Sequence, residues 1–114
     1  MKVLVCGSRH WTDWKLIETH LEMLPPGTTI ISGAARGADK MAATIGAKLG
    51  LEVQEFPADW AKFGRAAGYR RNLAMLKECP DLVIAFHLDA SPGTAHTIEN
   101  ARKRGIPVEV VGKY

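Results

Sequence analysis

Short apolar runs of strand length alternate along the chain with segments whose apolar residues recur at helical spacing. Val3-Leu4-Val5-Cys6, Ile30-Ile31 and Leu82-Val83-Ile84-Ala85-Phe86 are the clearest runs. Trp14, Ile17, Leu21 and Leu24, and later Met41, Ala42, Ile45 and Leu49, repeat every three or four residues. The pattern predicts strands at about 2–6, 28–32, 51–56, 81–86 and 107–111, with helices at 13–24, 38–49, 67–78 and 94–104. Pro25-Pro26-Gly27, Gly50, Pro80 and Gly105 sit just past periodic segments and act as stops. Strand–helix alternation of this kind argues for right-handed βαβ units around a parallel sheet.

Composition of the strands orders them. Leu51 to Phe56 and Val108 to Val110 alternate polar with apolar residues, as half-exposed edge strands do. The first and fourth strands are nearly continuous apolar runs, as central parallel strands are. The expected fold is therefore an α/β, Rossmann-like three-layer sandwich with a five-stranded parallel sheet in the order 3-2-1-4-5. The alternative order 2-1-3-4-5 would bury Glu52, Gln54 and Glu55 mid-sheet. In the preferred order the switch point falls between strands one and four. A crevice is expected there, flanked by residues 7–11 and 87–94.

Bulk properties narrow the function classes. The 114 residues fit one domain, 1–114, too small to include a separate substrate domain. A net charge of +3 favours anionic partners only weakly, and the basic residues form no dense stripe of the kind duplex-DNA binders show. Cys6 and Cys79 lack metal or redox spacing and are expected to be buried free thiols of a reducing compartment. Met1 leads directly into a strand and no apolar run reaches membrane length, so the expectation is a cytoplasmic protein without membrane partners. His10, His20, His87 and His96 show no metal-site spacing, and neither a metal nor another cofactor is implied.

Candidate chemistry sits in the loops after the strands. Gly7, Ser8 and Arg9 follow the first strand, and Trp11 either walls the pocket or packs on the first helix. Ser32, Gly33, Arg36 and Asp39 follow the second, in a run of small residues that is neither a G-x-G-x-x-G fingerprint nor a P-loop. Arg36 is suited to clamp a phosphate with its planar fork. Asp39, in a first helical turn, is stabilised there by the dipole or contacts ligand. Ser91, Gly93 and Thr94 open the last helix, where free N–H groups wrap an oxyanion and Ser91 or Thr94 supplies a cap. Residues 57–66, with Asp59, Trp60 and Phe63, form the longest irregular stretch and a candidate lid. Lys62, Arg65, Arg70 and Arg71 gather positive charge at the third predicted helix. Arg71 and Asn72 project about 100° apart there and are not both expected to face the sheet. Arg102, Lys103 and Arg104 occupy a last helical turn, where the dipole accounts for them.

Taken together, five motifs resemble one family across nearly the whole chain. They are Gly7-Ser8-Arg9 with Trp11; Ser32-Gly33 with Arg36-Gly37-Ala38-Asp39; Phe56-Pro57-Ala58-Asp59-Trp60; Ala67-Gly68 with Arg71-Asn72 and Met75; and Ala85-Phe86 with Gly93-Thr94. This set is similar to the YspA/CpYpsA-related (YAcAr) subgroup of the SLOG superfamily, which also contains lonely-guy phosphoribohydrolases and DprA-type DNA-processing proteins. The resemblance implies nucleotide or nucleotide-derived ligands, a role in bacterial or phage conflict or signalling, and self-association into a homodimer. Gly33, Arg71, Gly93 and Thr94 match the lonely-guy ligand site. That family's P-G-G-x-G-T-x-x-E motif departs here: its first three positions read Asp89-Ala90-Ser91 and its glutamate position is Thr97. Glu99 lies about 200° around the helix from Thr97.

Three functional expectations follow from the residues and the resemblance. The leading one is binding or sensing of a nucleotide or ADP-ribose-like ligand, with Gly33, Gly93 and Thr94 on the phosphate, Arg36 and Arg71 as clamps, and Ser8 and Arg9 closing the crevice. The second is a nucleoside-monophosphate N-ribosidase in which Asp39, Asp59 or Asp89 supplies the missing carboxylate. The third is DprA-like binding of single-stranded DNA, with bases stacked on Trp60 or Phe63.

Overall fold

A computed structural model describes residues 1–88 and 91–112. Its five strands are β1 (Lys2–Gly7), β2 (Thr29–Ser32), β3 (Glu52–Glu55), β4 (Leu82–Phe86) and β5 (Val108–Val111). The helices are α1 (Trp14–Glu22), α2 (Ala38–Lys48), α3 (Trp60–Phe63), α4 (Ala67–Leu76) and α5 (Pro92–Lys103). All strand pairs are parallel, in the order β3-β2-β1-β4-β5. The polar strands do lie at the two edges, because only an edge leaves Glu52, Glu55 and Glu109 in solvent. Lys2 aligns with Thr29 and Val3 with Leu82, so β1 and β4 end side by side and their following loops meet.

Period-two alternation divides each central strand between two cores. Val3, Val5, Ile30, Ile84 and Phe86 face one side and pack against Ile17 and Leu21 of α1 and Ala42 and Ile45 of α2. Leu4, Cys6, Ile31, Val83 and Ala85 face the other, against Met75 and Leu76 of α4 and Ile98 and Ala101 of α5. The sheet is thus covered on both faces, which its near-continuous apolar central strands require.

Three expectations are corrected at this level. Trp14 is exposed, and Trp11 takes the core position instead: it meets Phe86 edge-on at 5.4 Å, and its indole N–H donates to the Asp13 carbonyl. Trp11 therefore belongs to the core and not to the crevice wall. Residues 60–66, within the stretch expected to be irregular, are helical. The Asp59 carboxylate accepts from the Lys62 N–H and caps α3, after which Gly64–Ala66 make a 3-10 turn into α4. Cys6 is buried as expected, whereas Cys79 is exposed. It occupies a turn beyond α4 with a φ of 55°, just before Pro80, and its side chain points outward.

Candidate anion-binding crevice

The loops after β1 and β2 and the first turns of α2 and α5 converge at the carboxyl edge of the sheet. Ser8 fixes the first loop: its N–H donates to the Phe86 carbonyl, its own carbonyl accepts from Trp11 and Ala38, and its hydroxyl accepts from the His10 N–H. The second loop crosses so close beneath it that a Cβ on Gly37 would lie 2.5 Å from the carbonyl oxygens of Ser8 and Arg9. Gly37 also has a φ of 81°, so this crossing admits only glycine. Ala34, with a φ of 60°, holds a left-handed conformation that costs a non-glycine residue free energy.

Arg71 organises the site. Its Nη1 donates to the Gly33 carbonyl and its Nε donates to Asn72 Oδ1 at 3.0 Å. Asn72 Nδ2 in turn donates to the Gly93 carbonyl at 3.2 Å and lies 3.4 Å from His96 Nδ1. One polar chain thereby links the β2 loop, α4 and the opening of α5. Both neighbours in sequence line the crevice. The long Arg71 side chain folds across its neighbour, and the Asn72 amide holds it there. A Cβ on Gly33 would sit 2.5 Å from Arg71 Nη1 and 2.7 Å from Asp39 Oδ2, so this glycine makes the room in which the two charged groups lie.

Asp39 is a buried carboxylate at the floor. Its Oδ2 accepts from the Ala35 N–H at 3.4 Å, and its backbone carbonyl accepts from the Ser32 hydroxyl at 3.0 Å. Burial raises its pKa to about 6, against the opposing pull of Arg71, the Ala35 and Gly7 N–H groups, and Arg9. Burial lowers the pKa of Arg71, with Asp39 opposing that shift and Arg9 adding to it. Burial likewise pushes the Cys6 thiol far above its ordinary range, with the Asp39 charge adding to the shift, so Cys6 is an inert core group.

The crevice has a volume of about 550 Å3. Of the residues singled out in the sequence, Gly7, Ser8, Arg9, Asp39, Trp60, Arg71, Asn72, Ser91, Gly93 and Thr94 line it. Gly33 and Arg36 border an adjoining hollow instead. Ser32 is buried beneath, bonded to Asp39, while Asp59 caps α3 and touches neither space. Asp89 lies outside the described residues. Pro92, without an N–H, begins α5, and the Ser91 side chain makes no capping hydrogen bond. Gly93 is exposed, with no atom within 4 Å of where a Cβ would stand. Among the described residues the ion pairs are Lys2–Glu78, His20–Glu109, Lys40–Glu55 and Lys103–Glu99; Asp39 acts on Arg71 by its charge without forming a direct ion pair.

Further residues complete the wall, and of these Tyr69 was not expected. Arg65, Gly68 and Tyr69 line the crevice, and the Tyr69 ring lies 4.4 Å from that of His96. The signal available in the sequence was Gly68-Tyr69 one helical turn before Asn72, on the face that Asn72 turns inward. Phe63 does not enter; Lys62 and Arg70 cover its ring. Thr97 Oγ1 donates to the Gly93 carbonyl at 3.3 Å, and Glu99 is exposed and paired with Lys103 at 3.2 Å. Neither places a carboxylate in the crevice. Among the described residues there is no cluster of three metal-ligating side chains, and no helix is long and apolar enough to cross a membrane.

An open parallel sheet with an arginine-rich crevice at its switch point defines an α/β protein of the Rossmann-like class. The chain belongs to the YspA, cpYpsA-related SLOG family, whose profile matches residues 1–63. It is 36% identical over 118 residues to the Gene 61 protein of Mycobacterium phage D29, covering 94% of this chain and 93% of that protein. Among solved structures it is similar to DNA processing protein A (DprA) from Streptococcus pneumoniae. The TM-score is 0.82 at 20% identity, over 97% of this chain and 50% of DprA. A UDP-GlcNAc 2-epimerase from Neisseria meningitidis, bound to UDP-GlcNAc, matches with a TM-score of 0.56 at 16% identity, over 97% of this chain and 32% of the enzyme. The chain thus spans half the length of the DprA structure and less of the epimerase, and at these identities the likeness is one of fold.

Proposed function

We propose that the chain recognises a nucleotide or an ADP-ribose-like derivative by its phosphate, as a binding or sensing module. The observation that carries this reading is the arrangement of Arg9, Arg65 and Arg71 around the unblocked first turn of α5, with Asp39 as the one carboxylate among the described residues of the lining. Free N–H groups and the positive end of a helix dipole favour an anion. Arg71, anchored through Nη1 and Nε, keeps its Nη2 on the Gly68 side for a ligand oxygen. Membership of a SLOG family supports a nucleotide-related role, and so does a nucleotide sugar bound to an enzyme of similar fold. The likeness to a mycobacteriophage protein supports placing that role in phage–host conflict or signalling.

Hydrolysis of the N-glycosidic bond is a second reading, and one observation favours it. Asp39 is buried at the crevice floor with a pKa near 6, the range in which a carboxyl serves as general acid or base. Thr97 in place of the lonely-guy glutamate weighs against it. A thermal-shift screen against a nucleotide panel, with products followed by mass spectrometry, separates the two. Stabilisation without release of ribose 5-phosphate supports binding; turnover abolished in Asp39→Asn supports the hydrolase; neither outcome with any nucleotide refutes both.

Arg71→Lys keeps the charge but loses the fork that spans Gly33, Asn72 and the ligand. Loss of one charge-assisted hydrogen bond costs roughly 1.5–3 kcal/mol, so affinity for a bound nucleotide should fall about ten- to a hundredfold. Equal affinities in calorimetry would make Arg71 a structural strut and move the anchor to Arg9 or Arg65.

A further inference from the structure

The crevice does not end at Arg71. It opens into a second hollow of about 500 Å3 walled by Arg36, Pro57 and Ala58. Arg9, Ala35, Trp60 and Arg71 border both spaces and form the waist between them. At this waist the Arg9 and Arg71 side chains border the same gap, and the buried Asp39 carboxylate acts on both. One buried carboxylate against two guanidinium groups leaves net positive charge at the waist, which favours an anion there. The Arg9 guanidinium also lies 5.7 Å from the centre of the Trp60 ring. That indole rests on the Gly68 backbone, where a Cβ would come within 3.3 Å of Cη2, yet half of the residue is in solvent, at 50% exposure. Tyr69 lines the same crevice, 44% exposed. Two half-bare aromatic rings along one charged crevice make a surface suited to a planar, charged ligand.

A single phosphate on the first turn of α5 leaves most of this unanswered. Arg36 and the second hollow lie beyond it. A diphosphate carries its charge over two adjacent phosphorus centres and answers α5 and the Arg9–Arg71 waist together. Its two ends then lead into the two hollows.

We propose that one ligand fills both hollows: a nucleoside joined through a diphosphate to a second polar group, with the diphosphate at the Arg9–Arg71 waist and the second group beside Arg36. The inference rests on the phosphate-binding reading above and narrows it from nucleotides in general to diphosphate-linked ones.

Calorimetric titration of the full chain with matched pairs tests it: AMP against ADP-ribose, and UMP against UDP-glucose. The diphosphate-linked member of at least one pair should bind about tenfold more tightly, or better, than its monophosphate. Ala58→Phe, which fills the second hollow, should erase that difference while leaving AMP affinity as in the wild type. Arg36→Glu, which leaves Ala58 in place, should weaken ADP-ribose more than AMP. Equal wild-type affinities within both pairs, or variants that weaken both members alike, would overturn the two-hollow ligand and leave the phosphate site standing. Failure of every nucleotide to bind would overturn both.

Discussion

A Gly93→Val variant is expected to fold as the wild type does and to lose nucleotide binding. The position is exposed in the first turn of α5, its φ lies outside the left-handed region, and a Cβ there meets no atom within 4 Å. Valine is no worse than glycine in a helix, so unfolding free energy should change by less than about 1 kcal/mol. The branched side chain would nonetheless occupy the space in which a phosphate approaches the α5 N–H groups. Several charge-assisted hydrogen bonds are then lost together, and affinity should fall by about a hundredfold or more. Calorimetry on the folded variant checks this. Retained affinity would mean that the anion, if bound, does not sit on α5.

The second large effect concerns pH. Asp39 has its pKa raised from 3.8 to about 6, so the folded chain holds this proton more tightly than the unfolded chain does. Stability is therefore undiminished below the unfolded value and declines as pH rises through the window from 3.8 to about 6. Above that window the penalty is constant, on the order of 3 kcal/mol. Asparagine does not titrate, and the difference in unfolding free energy between wild type and Asp39→Asn isolates this one group. Urea unfolding of both proteins across the window should show the difference changing by that amount in favour of the variant as pH rises. A difference that stays flat would mean that Asp39 is solvated or fully compensated by Arg71.

The sheet was legible because its signals are local and repeated. Alternating Glu and Val in β3 and β5 marked both edges, and the uninterrupted apolar runs of β1 and β4 marked the centre. The misplaced elements had competing or long-range causes. Trp14 fits the helical period, but Trp11 reaches the core from the loop because Phe86 offers a ring to pack against. The α3 turn was hidden behind Pro57, and its one marker was Asp59 placed to cap it.

The crevice was legible in part for a different reason. Small residues after strands at one sheet edge announce close backbone approach, which is how Gly7, Gly33 and Gly93 drew notice. Sequence does not show how far a flexible arginine reaches, so Arg71 crossing Asn72 to the Gly33 carbonyl was out of view. Tyr69 and Arg65 join the wall from α4 and the 3-10 turn before it, where Trp60 lies against Gly68. The separation of Arg36 into a second hollow likewise depends on that packing.

Titration of the wild-type chain with AMP and with adenosine tests the central claim most directly, since the two differ only in the phosphate. The account predicts one saturable site for AMP, weakened by added salt, and adenosine binding weaker by about a hundredfold or more. Adenosine binding as tightly as AMP, or no binding of either, would contradict it.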